Sequence, residues 1–228
     1  MKQQRMAGLV FCALATLVLA RAPSIWAVEA GVPKAPETEE LGLVPYVPTP
    51  HEVVDTMLEM ADVKSTDVVF DLGCGDGRIV VAAAKRGARA YGVDIDPARV
   101  KEAKELAQKE GVESKVTIML GDVFKTDFSS ATVVTMYLLP EYNRKLRPKL
   151  ERVLPVGARV VSHDFDMPAW KTVETKELED SDGGSHTVYL WKITPEMKKR
   201  AARRDKKRAS DTERERPRRK EKVLESQP

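Results

Sequence analysis

The sequence predicts an α/β fold, a mostly parallel sheet with helices on both of its faces. Three observations point there. Short apolar runs alternate with amphipathic stretches through five strand–helix units between residues 45 and 165. The first run, Val68-Val69-Phe70-Asp71-Leu72, ends in the glycine-dense turn Gly73-Cys74-Gly75-Asp76-Gly77 and leads straight into a helical segment. After residue 170 the alternation stops, and two strand-like runs flank the turn-forming stretch Asp180-Ser181-Asp182-Gly183-Gly184-Ser185, a hairpin signal.

The elements follow in order. Thr49 reads as an N-cap, with Pro50 first in the helix and Glu52 completing a capping box. Val53, Val54, Met57, Leu58 and Ala61 give that helix one apolar face. The strand Val68–Leu72 and its turn precede a helix over Arg78–Arg86, and Ala90–Val93 is a second strand with Asp94 at its end. Asp96 is an N-cap with Pro97 at the first helical position, and Gly111 ends the helix that runs to about Glu110. Val116–Leu120 is a third strand, leading to Gly121-Asp122-Val123. Thr132–Tyr137 is a fourth, leading to Tyr137-Leu138-Leu139-Pro140 and a helix over Glu141–Leu154. A Leu154-Pro155-Val156-Gly157 turn delivers the fifth strand, Arg159–Ser162, and the hairpin strands are Lys171–Leu178 and Thr187–Ile193.

A strand feeding a glycine turn feeding a helix is how α/β proteins hold nucleotide-like ligands. Glycine lets backbone approach the ligand closely. The dinucleotide pattern GxGxxG fails, because Arg78 stands where its third glycine belongs. Asp71 and Asp76 flank the turn; carboxylates repel a pyrophosphate and attract an ammonium or sulfonium group. An acid also closes the second strand, Asp94, where ribose hydroxyls are commonly taken.

With an acidic residue before Gly-x-Gly-x-Gly and the run Gly92-Val93-Asp94-Ile95-Asp96-Pro97, the chain resembles the class I S-adenosylmethionine (SAM) dependent methyltransferases. The resemblance implies a Rossmann-like, seven-stranded mostly parallel sheet, with the C-terminal antiparallel hairpin in that same sheet. It implies SAM as cofactor. Asp71 with the turn residues Gly73, Cys74, Gly75 and Gly77 would hold the methionine part. Asp94, beside Ile95, would take the ribose, and Asp122, with the backbone amide of Val123, the adenine. Asp122 also reads as an ordinary turn residue. Tyr137–Pro140 matches the position of the family's fourth motif, at the mouth of the methyl-transfer site.

Val44-Pro45-Tyr46-Val47-Pro48-Thr49-Pro50, Gly75-Asp76-Gly77-Arg78-Ile79-Val80, and Arg159–Ser162 followed by Phe165 and Trp170 resemble one subgroup. This is the membrane-associated protein-lysine methyltransferase family, which includes the adenine nucleotide translocase and ATP synthase c-subunit lysine methyltransferases and bacterial relatives. Residues 44–170 carry the likeness, with Asp94-Ile95-Asp96 departing from the subgroup's usual Glu-Leu-Asn. It implies a protein lysine amine as acceptor and a lid formed by Tyr46 and Thr49. Tyr46, Tyr137 and His163 are candidates for the substrate side; packing for the tyrosines, and capping of the fifth strand for His163, are the bland readings. A metabolite or quinone-type acceptor, and a non-catalytic SAM-binding domain, remain as other readings.

The ends differ in character. Lys2 and Arg5 precede an apolar run over Met6–Ala20, so residues 1–28 read as a signal peptide or membrane anchor, with an organellar presequence as the alternative. Export through the secretory pathway, to a periplasmic or membrane-anchored state, would follow. Residues 29–44 read as a linker, and residues 45–194 as the methyltransferase domain. Residues 195–228 hold fourteen Lys or Arg against seven Asp or Glu, a net charge of +7 in a chain whose total is +3. This tail suits an acidic membrane surface or nucleic acid, or else is a solvated, disordered or partly helical extension. Two cysteines, Cys12 and Cys74, leave the domain without an internal disulfide. His51, His163 and His186 are far apart in sequence, and no metal-ligand spacing is present, so no metal is expected.

Overall fold

The computed structural model describes residues 46–225, with side chains to residue 213. The leader and linker read over residues 1–44 lie outside the described residues. Among the described residues, no helix is long and apolar enough to cross a membrane.

The element order is α1 (His51–Met60), β1 (Val68–Leu72), α2 (Arg78–Lys85), β2 (Arg89–Asp94), α3 (Pro97–Lys109), β3 (Val116–Leu120), β4 (Val133–Met136), α4 (Pro140–Val153), β5 (Arg159–His163), β6 (Glu174–Glu179), β7 (Ser185–Lys192) and α5 (Pro195–Glu225). Seven strands form one sheet in the order β3-β2-β1-β4-β5-β7-β6. The first five run parallel, and β7 pairs antiparallel with both β5 and β6. The expected seven-stranded mixed sheet is therefore the one observed, with the hairpin inside it.

Burial explains the strand sequences. All of β1 is buried, because it sits between β2 and β4 with helices on both faces, and this makes its run continuously apolar apart from Asp71. Val69 packs with α1, α2 and α3 residues such as Met57, Val80 and Ala103. Phe70 and Leu72 face the other way, against Leu146 and Leu150 of α4 and Trp191 of β7. The edge strand β6 is mostly exposed and rich in Glu and Lys, charges that discourage pairing with another chain.

Three local expectations are corrected. Thr49 does not cap α1: Pro50, extended at ψ 149°, holds the cap position, so the helix begins one residue later than its capping signature implies. The Thr49 hydroxyl turns inward instead, 3.2 Å from His163 Nδ1. The first hairpin strand starts at Glu174 rather than Lys171.

The third correction concerns the tail: it begins as a helix, one of the expected alternatives, but that helix is docked and not simply solvated. Met197 and Ala201 of α5 are buried, and Arg200 and Arg204 both pair with Glu151 of α4. Glu151 is fully buried and also accepts Trp170 Nε1–H at 2.7 Å. Burial pushes its pKa up, but the bonds from Trp170, Arg204 and Arg200 outweigh this and hold it below the usual carboxylate range.

Candidate active site

The strand order changes direction at β1, where the chain runs outward to β3 and then returns to β4. Open α/β sheets bind ligands at the carboxyl ends of strands around such a switch point. A cavity of about 460 Å³ lies there, lined by the glycine turn and by the ends of β1, β2, β3 and β4.

Three carboxylates stand along it, one from each of three strand ends. Asp71, at the end of β1, is 2 % exposed, and its Oδ1 accepts the Thr135 hydroxyl at 2.7 Å. Burial raises its pKa to about 7, and the nearby Asp94 and Asp76 charges add to the rise. Asp94, at the end of β2, accepts Gly75 N–H at 2.8 Å and Asp96 N–H at 2.9 Å, so it also holds the turn together. Asp122, after β3, accepts Phe124 N–H at 2.8 Å. Lys149 of α4 braces that loop by donating to the Phe124 carbonyl at 2.8 Å.

Asp76 is different. It forms a two-pronged ion pair with Arg78, 2.6 Å at the shortest, which offsets much of its charge. The expectation that Asp76 attracts a cation is thus replaced by a structural role: Arg78 Nη1 also donates to the Thr49 carbonyl at 2.8 Å, tying the entry segment to the turn. Tyr46 lies over that turn so closely that a Cβ at Gly75 would collide with its ring. The Arg99 guanidinium stacks on Tyr46, 4.6 Å from the ring centroid.

The opposite end of the cavity is aromatic. Tyr137, Tyr142 and Phe165 line it with Leu138 and Leu139. The Tyr137 ring stacks on Phe165 with centroids 6.0 Å apart, and packs against His163 at 3.9 Å. Its hydroxyl donates to Asp164 Oδ2 at 3.3 Å, and burial followed by the Asp164 charge raises its pKa.

The cavity brings together Tyr46, Thr49, Asp71, Gly73, Cys74, Gly75, Asp94, Ile95, Asp122, Val123 and Tyr137. Two sequence candidates stand outside its walls. Gly77, at φ +81°, is needed for packing: a Cβ there would lie 2.7 Å from Ala103 Cβ. His163 is fully buried behind Tyr137, and burial lowers its pKa to about 4. Arg99, Phe124 and Tyr142 line the cavity but carry no signal in the sequence, since each occupies an ordinary helix or loop position. His186 is separated from His163 by 23 residues, yet the β5–β7 pairing brings their ring nitrogens to 2.9 Å, which removes the spacing argument against a metal site.

The donor set fits SAM. Buried or half-buried carboxylates suit an α-ammonium, ribose hydroxyls and an adenine amino group, and Ile95, Val123 and Leu138 supply apolar walls. The buried Asp71 carboxyl is met by a neutral hydroxyl, that of Thr135, and a ligand cation would supply the opposite charge.

Comparison with known proteins agrees. The ANTKMT methyltransferase domain matches residues 71–174. A protein-lysine N-methyltransferase of Saccharolobus islandicus (strain REY15A) is 49% identical over 152 residues, covering 66% of this chain and 94% of that protein. The Mus musculus adenine nucleotide translocase lysine N-methyltransferase is 37% identical over 131 residues, covering 57% of this chain and 57% of its own length. The chain thus spans nearly all of the Saccharolobus relative and little over half of the mouse one. Among solved structures, an RNA methyltransferase from Salinibacter ruber in complex with S-adenosyl-L-homocysteine shares 53% identity at a TM-score of 0.62, covering 65% of this chain and 95% of that one. A SAM-dependent O-methyltransferase from Thermotoga maritima, 14% identical at a TM-score of 0.56, shares the fold. The three strand-end carboxylates around the glycine turn and the extent of these matches lead to one conclusion: the chain belongs to the ANTKMT methyltransferase family of SAM-dependent enzymes.

Proposed function

We propose that the methyl group is transferred to a lysine side-chain amine of a protein. The observation that carries this is the aromatic end of the cavity, where Tyr137 and Phe165 stack beside Tyr142. Aromatic faces accept a cationic ammonium as it arrives and exclude water around it. Desolvation there lowers the amine's pKa, which favours the neutral nucleophile. The lysine methyltransferases among the relatives support the same acceptor.

SAM supplies a sulfonium-bound methyl group. Asp71 holds the α-ammonium of its methionine part, Asp94 the ribose hydroxyls, and Asp122 with the Val123 amide the adenine. Tyr46 and Thr49 cover the cofactor, held shut by Arg99 and Arg78. Tyr137 and Phe165 align the acceptor for in-line attack, and much of the rate comes from that positioning. The Tyr137 hydroxyl, bonded to Asp164, orients the amine and accepts its hydrogen bond as charge develops.

A second reading, methylation of RNA, is favoured by the likeness to the Salinibacter ruber RNA methyltransferase. The basic α5 is compatible with it, and equally with an anionic membrane surface presenting a protein substrate. Radiolabelled methyl transfer into membrane-fraction protein and into total RNA, run side by side, separates the two. Label in lysine, mapped by mass spectrometry and lost in Asp94→Ala, is the expected result. Label confined to RNA, or to a small metabolite, overturns the lysine reading.

A further inference from the structure

Behind Tyr137, outside the cavity wall, three side chains converge from two strands. β5 ends at His163, which lies opposite Val188 of the antiparallel β7. That register brings His186 alongside, with its Nδ1 2.9 Å from His163 Nε2. Asp164 follows His163 directly, and its Oδ2 lies 3.3 Å from His163 Nε2 and 3.7 Å from His186 Nδ1. Two nitrogens and one oxygen therefore form a triangle. A tetrahedral zinc ion with bonds of about 2.0–2.1 Å has ligand–ligand edges of about 3.3 Å. The observed edges bracket that length. Hydrogen bonding within the cluster accounts for the shortest edge, but the longest is beyond hydrogen-bond range.

Each of the three is also held from behind. His163 Nδ1 meets the Thr49 hydroxyl at 3.2 Å. His186 Nε2 meets Asp180 Oδ2 at 3.0 Å, and Asp180 is itself fixed by the N–H groups of Gly184 and Asp182. Asp164 Oδ1 accepts Thr187 N–H at 2.9 Å. A histidine whose far nitrogen is bound to a carboxylate, leaving the near one aimed at its neighbours, is the arrangement that orients metal ligands.

We propose that His163, Asp164 and His186 bind one divalent transition metal of the zinc class, with a fourth position left for water. Two imidazoles and one carboxylate suit zinc over magnesium or calcium, which prefer all-oxygen sets. The ion would fasten the hairpin to β5 and, through Thr49, to the segment covering the cofactor. It lies outside the cavity, and because Asp164 Oδ2 also accepts the Tyr137 hydroxyl at 3.3 Å, it would bear on methyl transfer only through the position of that ring.

The test uses the full chain stripped with a chelator. Zinc is titrated against a chromophoric competitor, and cobalt is added separately for its visible absorption. The wild type is expected to take up one zinc per chain and to give the intense cobalt bands of four-coordination. His186→Ala should abolish both, and Asp180→Asn should weaken zinc binding about 10–100-fold through loss of the outer carboxylate. His51→Ala, at an exposed histidine on α1, should change neither. No zinc uptake by the wild type overturns the proposal whatever the variants do. So does uptake unchanged in a folded His186→Ala protein. Neither readout depends on methyl transfer, so the acceptor assignment stands or falls separately.

Discussion

Asp94 does two jobs that pull a prediction in two directions. It faces the cavity, and it accepts the Gly75 and Asp96 amides that shape the turn. Asp94→Ala is expected to weaken SAM binding by about 1–3 kcal/mol, roughly 5- to 150-fold in Kd, and to lower the melting temperature as well. Unchanged affinity by calorimetry would place the ribose elsewhere. Asp71 gives a pH signature. Its carboxyl titrates at about 7 in the folded chain against 3.8 as a free side chain, so the unfolded chain binds fewer protons between those values. The stabilisation is complete below about pH 4 and is lost as pH rises through about 7. In the proposed pose the ligand's ammonium favours the ionised form, so SAM binding near neutral pH should release a proton. Binding enthalpies that do not vary with the buffer's ionisation enthalpy would contradict this. The acids themselves are legible in the sequence, because a lone carboxylate at the end of an apolar run has few reasons to be there. The pairing of Asp76 with Arg78 is not, since two nearby charges read equally as a pair or as a site.

At the scale of elements, boundaries follow local chemistry where local chemistry is decisive. Asp96 caps α3 through the Ala98 amide at 2.8 Å, and Gly111 follows the helix at φ +67°, both as the sequence implies. Thr49 shows the limit. Its capping signature is sound, but a buried histidine competes for the hydroxyl, and tertiary contact wins. The α4–α5 contact is also invisible in sequence, because Glu151 reads as one more surface charge of an amphipathic helix. Glu151→Ala is expected to cost about 1–3 kcal/mol, below the range for a stranded buried charge because both arginines stay partly in water. It also leaves Trp170 Nε1 facing a buried gap. Chemical denaturation measures the loss, and a value under 1 kcal/mol would mean the pairing contributes little.

For the molecule as a whole, the described side chains of α5 divide into a buried part and an exposed part. Met197 and Ala201 are buried, whereas residues 205–213 are exposed. A chain ending at Arg204 is therefore expected to keep the melting temperature and SAM affinity of the full chain. A chain ending at Thr194 should lose several degrees, because Glu151 is left without its arginines. Equal stability of the two truncations would show that the docked turns of α5 are dispensable.

Short-range pattern was enough for the five alternating strands, the glycine turn and the positions of the three acids, because burial on both faces makes a strand continuously apolar and a tight turn demands glycine; the hairpin's place in the sheet came from family resemblance. The remaining features were set by packing between distant parts of the chain. Whether Tyr46 covers the turn, which aromatic rings meet at the acceptor end, and that His163 and His186 touch are consequences of strand register and helix docking. Those contacts join residues distant along the chain, and no local spacing records which of them will be neighbours.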